Sequence, residues 1–248
     1  MSCGRRALRP PRHAGVAARG LAARSADTLD VLVIDAPPAT LLDASAVTVR
    51  LGGVNIVEDV TFQVTPGDLV LLTGANGAGK STLLRALVGL LPASGDIAIA
   101  GRPPASLDAR RSFVFTPDEP ALYEDLTLAE HGHFTALVYA RPEAEVRSIA
   151  WLGRFDLEGR VGEFPGTHSR GMRQKLALAL ALGLEMPLTL LDEPFNGLDL
   201  EAQQVLAEGL AARTRAGGAV LLTGHQPELA GALNARVLSL QGGRLVRA

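Results

Sequence analysis

The chain has 248 residues, 47% of them hydrophobic, with a mean hydropathy of +0.20 and a formal net charge of −2. That suffices for one large or two small domains with a well-filled core, and the balanced charge excludes a general attraction to nucleic acid or anionic lipid. Cys3 is the only cysteine, so an internal disulfide is excluded and a reducing compartment is expected, while the longest apolar block, residues 176–184, is too short to span a bilayer. Any membrane role is therefore expected to need a partner chain.

Residues 1–44 stand apart in composition. Arg5, Arg6, Arg9, Arg12, Arg19 and Arg24 precede the first acid, Asp27, and Pro10, Pro11, Pro37 and Pro38 interrupt any regular element. This favours a disordered tail or an upstream extension of the reading frame. The alternatives are a weak basic contact with a membrane surface and an Arg-rich transit peptide. The Ala/Arg/Gly/Leu bias continues through the whole chain, which weakens the last. Residues 31–34 read as an isolated strand.

Residues 47–51 and 56–64 read as strands joined through Gly52 and Gly53. Pro66, Gly67 and Asp68 make a turn before a buried strand at 69–73. Leu83, Leu84, Leu87, Val88 and Leu91 then follow at helical spacing. Residues 97–100 and 113–116 are further strands. Helices are expected at 128–140, 143–152 and 170–184, which makes a helical insertion over about 120–186. Apolar strands return at 188–191 and 219–223, with a helix at 201–215 between them, capped by Asp199. A hairpin at 236–240 and 244–246 turns on Gly242 and Gly243. The alternation predicts an α/β core with a leading antiparallel β portion.

Residues 74–82 fit G-x-x-x-x-G-K-[ST] at every fixed position: Gly74, Asn76, Gly77, Ala78, Gly79, Lys80, Ser81 and Thr82 sit between a strand and a helix N-terminus. Amides there are free to bind an anion, and the glycines let the backbone approach phosphate oxygens. Lys80 supplies a compact charge for the outer phosphates, and the Ser81 hydroxyl suits Mg²⁺. The chain has 24 basic residues, yet only Lys80 and Lys175 are lysine, so an ammonium has been kept where an arginine fork is no equivalent. The strand at 188–191 ends in Asp192 and Glu193. Asp192 suits Mg²⁺, directly or through water, and Glu193 suits polarisation of an attacking water. The alternative is a surface strand end with two solvated acids. His131 and His133 are two apart on a helix and diverge, which argues against a metal pair.

From residue 46 to the C-terminus the chain resembles the nucleotide-binding subunit of ATP-binding cassette (ABC) transporters. Motifs of that family follow in order: the phosphate loop, Asp118 at the Q-loop position, Ser169-Arg170-Gly171-Met172-Arg173-Gln174 at the signature, the acidic strand, Asn196-Gly197-Leu198-Asp199 at the D-loop, and His225 as switch histidine. The resemblance implies a P-loop NTPase fold and hydrolysis of ATP with Mg²⁺, with Lys80, Glu193 and His225 as catalytic residues. It implies that Ser169 and Gly171 close over the ATP of a second subunit, either another copy or a homologue. It also implies a separate integral membrane permease as partner, no nucleic acid, and a peripheral position on the cytoplasmic face. Ser169 also reads as an ordinary helix N-cap. The chain departs from the family in four places. Asp118 replaces a glutamine, Arg170 a glycine and Met172 a glutamine, and Leu51 lies nearest to where an aromatic residue usually stacks on adenine. Asp118 is expected to reach Mg²⁺ through a water. The Pro-Asp-Glu-Pro and Ser-Arg-Gly-Met-Arg-Gln forms look most like bacterial export-type cassettes, including the haem-exporter-like group. A soluble cassette protein or an ATP-dependent switch on a non-transport partner is the alternative.

Overall fold

A computed structural model describes residues 39–225 and 228–246. In chain order the first elements are β1 (Leu42–Leu51), β2 (Val54–Val64), β3 (Leu69–Thr73), α1 (Lys80–Leu87), β4 (Ser94–Ile99), α2 (Leu107–Arg110) and β5 (Phe113–Thr116). The rest are α3 (Leu128–Val138), α4 (Glu143–Arg154), α5 (Arg170–Gly183), β6 (Leu188–Leu191), α6 (Leu200–Arg215), β7 (Ala219–Gly224), α7 (Glu228–Leu233), β8 (Arg236–Gln241) and β9 (Arg244–Val246).

Gly52 and Gly53 take φ of 56° and 86°, the conformation a two-residue hairpin needs to match strand twist. They join β1 to β2, and β4 pairs with the other edge of β1, so the antiparallel sheet runs β2-β1-β4. β1 starts at Leu42, earlier than expected. A register shift between Ala44 and Val47, with Ala46 at φ 52°, bulges the strand and breaks the alternation that marks it in sequence. The tail boundary at residue 44 is corrected accordingly, because Leu42 and Ala44 are fully buried. The rest of the tail to residue 38, with the candidate strand at 31–34, lies outside the described residues.

The second sheet runs β5-β6-β7-β3-β8-β9 and is parallel except for β8–β9. Every residue of β6 is buried, as are Leu69 to Leu72 of β3. Strands covered on both faces read as unbroken apolar runs. The registers Leu72↔Thr223 and Leu191↔Leu222 bring the C-terminal ends of β3, β6 and β7 to one edge. In parallel α/β sheets that edge is where ligands bind.

Side chains fix where α3, α5 and α6 begin. Thr127 and Glu130 form a reciprocal capping box on α3. Ser169 caps α5 and Asp199 caps α6, accepting from Met172 N and Ala202 N respectively. The helical insertion packs Leu128, Leu152, Phe155 and Leu176 into one cluster with Leu71 and Leu222 of the parallel sheet. Helices α2 and α7 were not expected: α2 has only four residues, too few for a period to show.

Candidate functional site

The loop from β3 to α1 is built for close approach. Gly79 is the N-cap of α1 at φ 103°, and a Cβ there would lie 2.9 Å from the Ile56 carbonyl oxygen. No side chain caps this helix, so its first amides and its dipole are left to an anion. Lys80 is 6% exposed and donates to the Gly74 carbonyl at 2.8 Å. A cleft of about 410 Å³ opens over the loop. Asn76, Gly77, Ala78, Gly79, Lys80, Ser81 and Thr82 line it, together with Asp118, Glu193 and His225.

Asp192 sits behind the loop and is 1% exposed. Its Oδ1 accepts from Ser81 Oγ at 3.0 Å and from Thr223 Oγ1 at 2.8 Å. Its Oδ2 is buried with no hydrogen-bond partner. A buried carboxylate oxygen without a donor is costly unless a cation answers it. With the Ser81 hydroxyl on its other oxygen, the carboxylate makes a hard-oxygen set of the kind that Mg²⁺ takes, so the residues fit that ion.

Glu193 lines the cleft, and its backbone is left-handed, at φ 48°, a sparsely populated state for a side chain of this type. Its amide donates to Thr223 Oγ1 at 2.7 Å. Its Oε1 lies 3.3 Å from Lys80 Nζ and its Oε2 3.2 Å from His225 Nδ1. A proton acceptor is thus flanked by an ammonium and an imidazole.

Asp118 lies in the same cleft with both oxygens engaged: Oδ1 accepts from Asn196 Nδ2 at 3.3 Å and Oδ2 from Arg170 Nη2 at 3.1 Å. Each oxygen thus holds one side-chain donor, and an ionised carboxylate keeps a further lone pair on each for a water. Ser169 and Gly171 are not among the residues lining the cleft. A Cβ on Gly171 would lie 2.6 Å from the Gly197 carbonyl oxygen, so this glycine is required by packing within the subunit. Ile56, rather than Leu51, lines the cleft. Sequence reasoning missed Thr223, whose hydroxyl links Asp192 to Glu193. Its only sequence signal is a hydroxyl closing an apolar strand. His131 and His133 part as expected: the first accepts from the Tyr123 amide through Nε2, the second meets Glu145.

A lysine and a bare helix end over β3, with a buried aspartate at the end of β6, on the far side of β7, holding the loop serine, define a P-loop nucleoside triphosphatase. Comparison narrows this. Residues 57–196 match the family described as ABC transporter, and the chain belongs to that family as an ATP-hydrolysing subunit. It is 36% identical to the SkfA peptide export ATP-binding protein SkfE of Bacillus subtilis (strain 168), over 77% of this chain and 81% of that one. It is 35% identical to the cytochrome c biogenesis ATP-binding export protein CcmA of Xanthomonas campestris pv. campestris (strain 8004), over 83% of this chain and 95% of that one. A solved ATP-binding subunit of an ABC transporter superimposes with a TM-score of 0.78 at 38% identity, covering 83% of this chain and 88% of that one. Among the described residues no helix is long and apolar enough to cross a membrane.

Proposed function

We propose that ATP lies in the cleft with its phosphates on residues 74–82, and that Ser81 and Asp192 hold Mg²⁺ beside them. The observation that carries this reading is the partnerless Oδ2 of Asp192, a carboxylate whose other oxygen holds the Ser81 hydroxyl. When bound, the ion offsets phosphate charge and polarises the transferring phosphoryl group. Lys80 binds the outer phosphates. Glu193 accepts a proton from the attacking water, and His225 holds the Glu193 carboxylate in line. Thr223 fixes Asp192 and the Glu193 backbone through one hydroxyl.

Two subunits, copies of this chain or homologues, enclose two ATP, each completed by Ser169 and Gly171 of the opposite subunit. Closing and reopening then drive a separate integral membrane permease from the cytoplasmic face. Both named relatives carry export in their names, which supports export as the direction. The test uses Glu193→Gln protein in size-exclusion chromatography. It should run as a dimer with ATP and Mg²⁺ and as a monomer without them, and Ser169→Arg should abolish the dimer. A monomer at saturating ATP and Mg²⁺ refutes the two-subunit site, and turnover of the parent protein that survives EDTA refutes the metal assignment.

A further inference from the structure

We propose that Asp118 and Arg170 form a latch that orients the N-terminus of α5, and with it Ser169 and Gly171, on the nucleotide cleft of their own subunit. Arg170 is the first residue of α5, directly after the cap Ser169. A cation there opposes the helix dipole. The first turn of α5 contains no acid to offset it. The offsetting charge comes from Asp118, 52 positions earlier, at 3.1 Å. Asp118 also lines the cleft with Lys80 and Glu193. Its second oxygen accepts from Asn196, whose own amide donates to the Glu193 carbonyl at 3.1 Å. The next residue, Gly197, is the one against which Gly171 rests.

Three segments therefore meet at one carboxylate: the end of β5, the start of α5 and the turn after Glu193. The Asp118 side chain is 34% exposed and that of Arg170 is 65% exposed. A pair so placed adds little to global stability and exchanges partners readily. Its effect is local: it sets where the start of α5 points. Charge arriving in the cleft acts on Asp118 and, through Arg170, on the segment offered to a second subunit. Arg170 is thus a positioning residue. Only the assembly arm of the test rests on the two-ATP reading above.

The first arm measures amide hydrogen exchange over residues 167–174 without nucleotide, in the parent, Asp118→Asn, Arg170→Ala and the double variant. Exchange should quicken about three- to fivefold in each single variant, the size a partly exposed ion pair allows, and no further in the double. Arg170→Lys should stay close to the parent. Unchanged exchange in either single variant, or multiplied effects in the double, overturns the latch. The second arm adds Arg170→Ala to Glu193→Gln protein. Because Arg170→Ala leaves the Asp118 charge unpaired in the cleft, ATP affinity is measured separately on dilute monomer, and the ATP concentration for half-dimerisation should rise about three- to fivefold beyond any change in that affinity. A half-dimerisation concentration that rises no more than the monomer Kd overturns the link to assembly. If the Glu193→Gln parent does not dimerise, the two-ATP reading has failed and the exchange arm alone decides the latch. A shifted Mg²⁺ midpoint of turnover in Asp118→Asn also overturns the proposal, because it places Asp118 on the ion.

Discussion

Glu193→Gln separates the two jobs of one carboxylate. The side chain is 14% exposed and lies between Lys80 Nζ at 3.3 Å and His225 Nδ1 at 3.2 Å. The amide keeps the shape and removes both the charge and the proton acceptor. Loss of a general base lowers rates by about 10²- to 10⁴-fold, so turnover should fall at least about 100-fold. Binding should move the other way. Glu193 competes with a phosphate for Lys80, and without it Lys80 keeps only the Gly74 and Ala75 carbonyls, at 2.8 and 3.5 Å. The lost charge-assisted contact is worth about 1–2 kcal/mol for a pair this sheltered. Without nucleotide the variant should therefore melt roughly 3–6 °C lower. ATP restores the missing charge, so it should raise the melting temperature more in the variant than in the parent. The Kd for ATP should fall roughly fivefold, which corresponds to about 1 kcal/mol. Phosphate release, calorimetric titration and thermal denaturation on one preparation supply all three readings. Near-normal turnover in protein cleared of contaminating ATPases refutes the base assignment. Weaker ATP binding refutes the competition for Lys80.

Gly171→Ala sets a helix-favouring residue against a Cβ position 2.6 Å from the Gly197 carbonyl, and the clash should win, lowering stability by about 1–3 kcal/mol in urea denaturation. Thr223→Val leaves Asp192 Oδ1 and the Glu193 amide each short of a partner, so urea denaturation should show about 1–3 kcal/mol lost, with turnover reduced as well. Asp199→Ala removes the cap on Ala202 and the partner of Lys175, and should cost about 1 kcal/mol at neutral pH. The hydrogen bond from Lys175, then that from the Ala202 amide, holds the Asp199 carboxyl below its ordinary pKa. Its stabilisation is complete above the ordinary aspartate range and is lost as pH falls through the lower folded value. The gap between parent and Asp199→Ala in urea denaturation should therefore narrow in acid.

Much of the fold was legible in sequence because its signals are local. Strands β3, β6 and β7 are buried on both faces and announce themselves as apolar runs. The Gly52-Gly53 turn and the Gly-Lys-Ser loop carry their conformations in residue type. Other features have no local signal. The front half of β1 is hidden by its bulge. The placement of β3 between β7 and β8 depends on long-range pairing that no window contains. At the site, Lys80, Ser81, Asp192, Glu193 and His225 were named from spacing and resemblance. The bridging hydroxyl of Thr223 was not, because it gains its partners only when β6 and β7 lie side by side.

Asp118 shows most clearly what the surroundings of a residue add to its reading. Set against a triphosphate it is a repulsive charge, which invites a cation as the remedy. In the structure its nearest cation is Arg170, itself a departure from the family pattern, so two anomalies in the sequence are one interaction in space. The pair carries no net charge. With Asn196 on its other oxygen, it presents an acceptor at Asp118 and spare donors at the exposed guanidinium. A glutamine offers the same combination: neutral, with one acceptor and one donor group. Either substitution alone would leave an uncompensated charge, a carboxylate in the cleft or a guanidinium on a helix end that disfavours it. The two positions are therefore best understood, and best mutated, together.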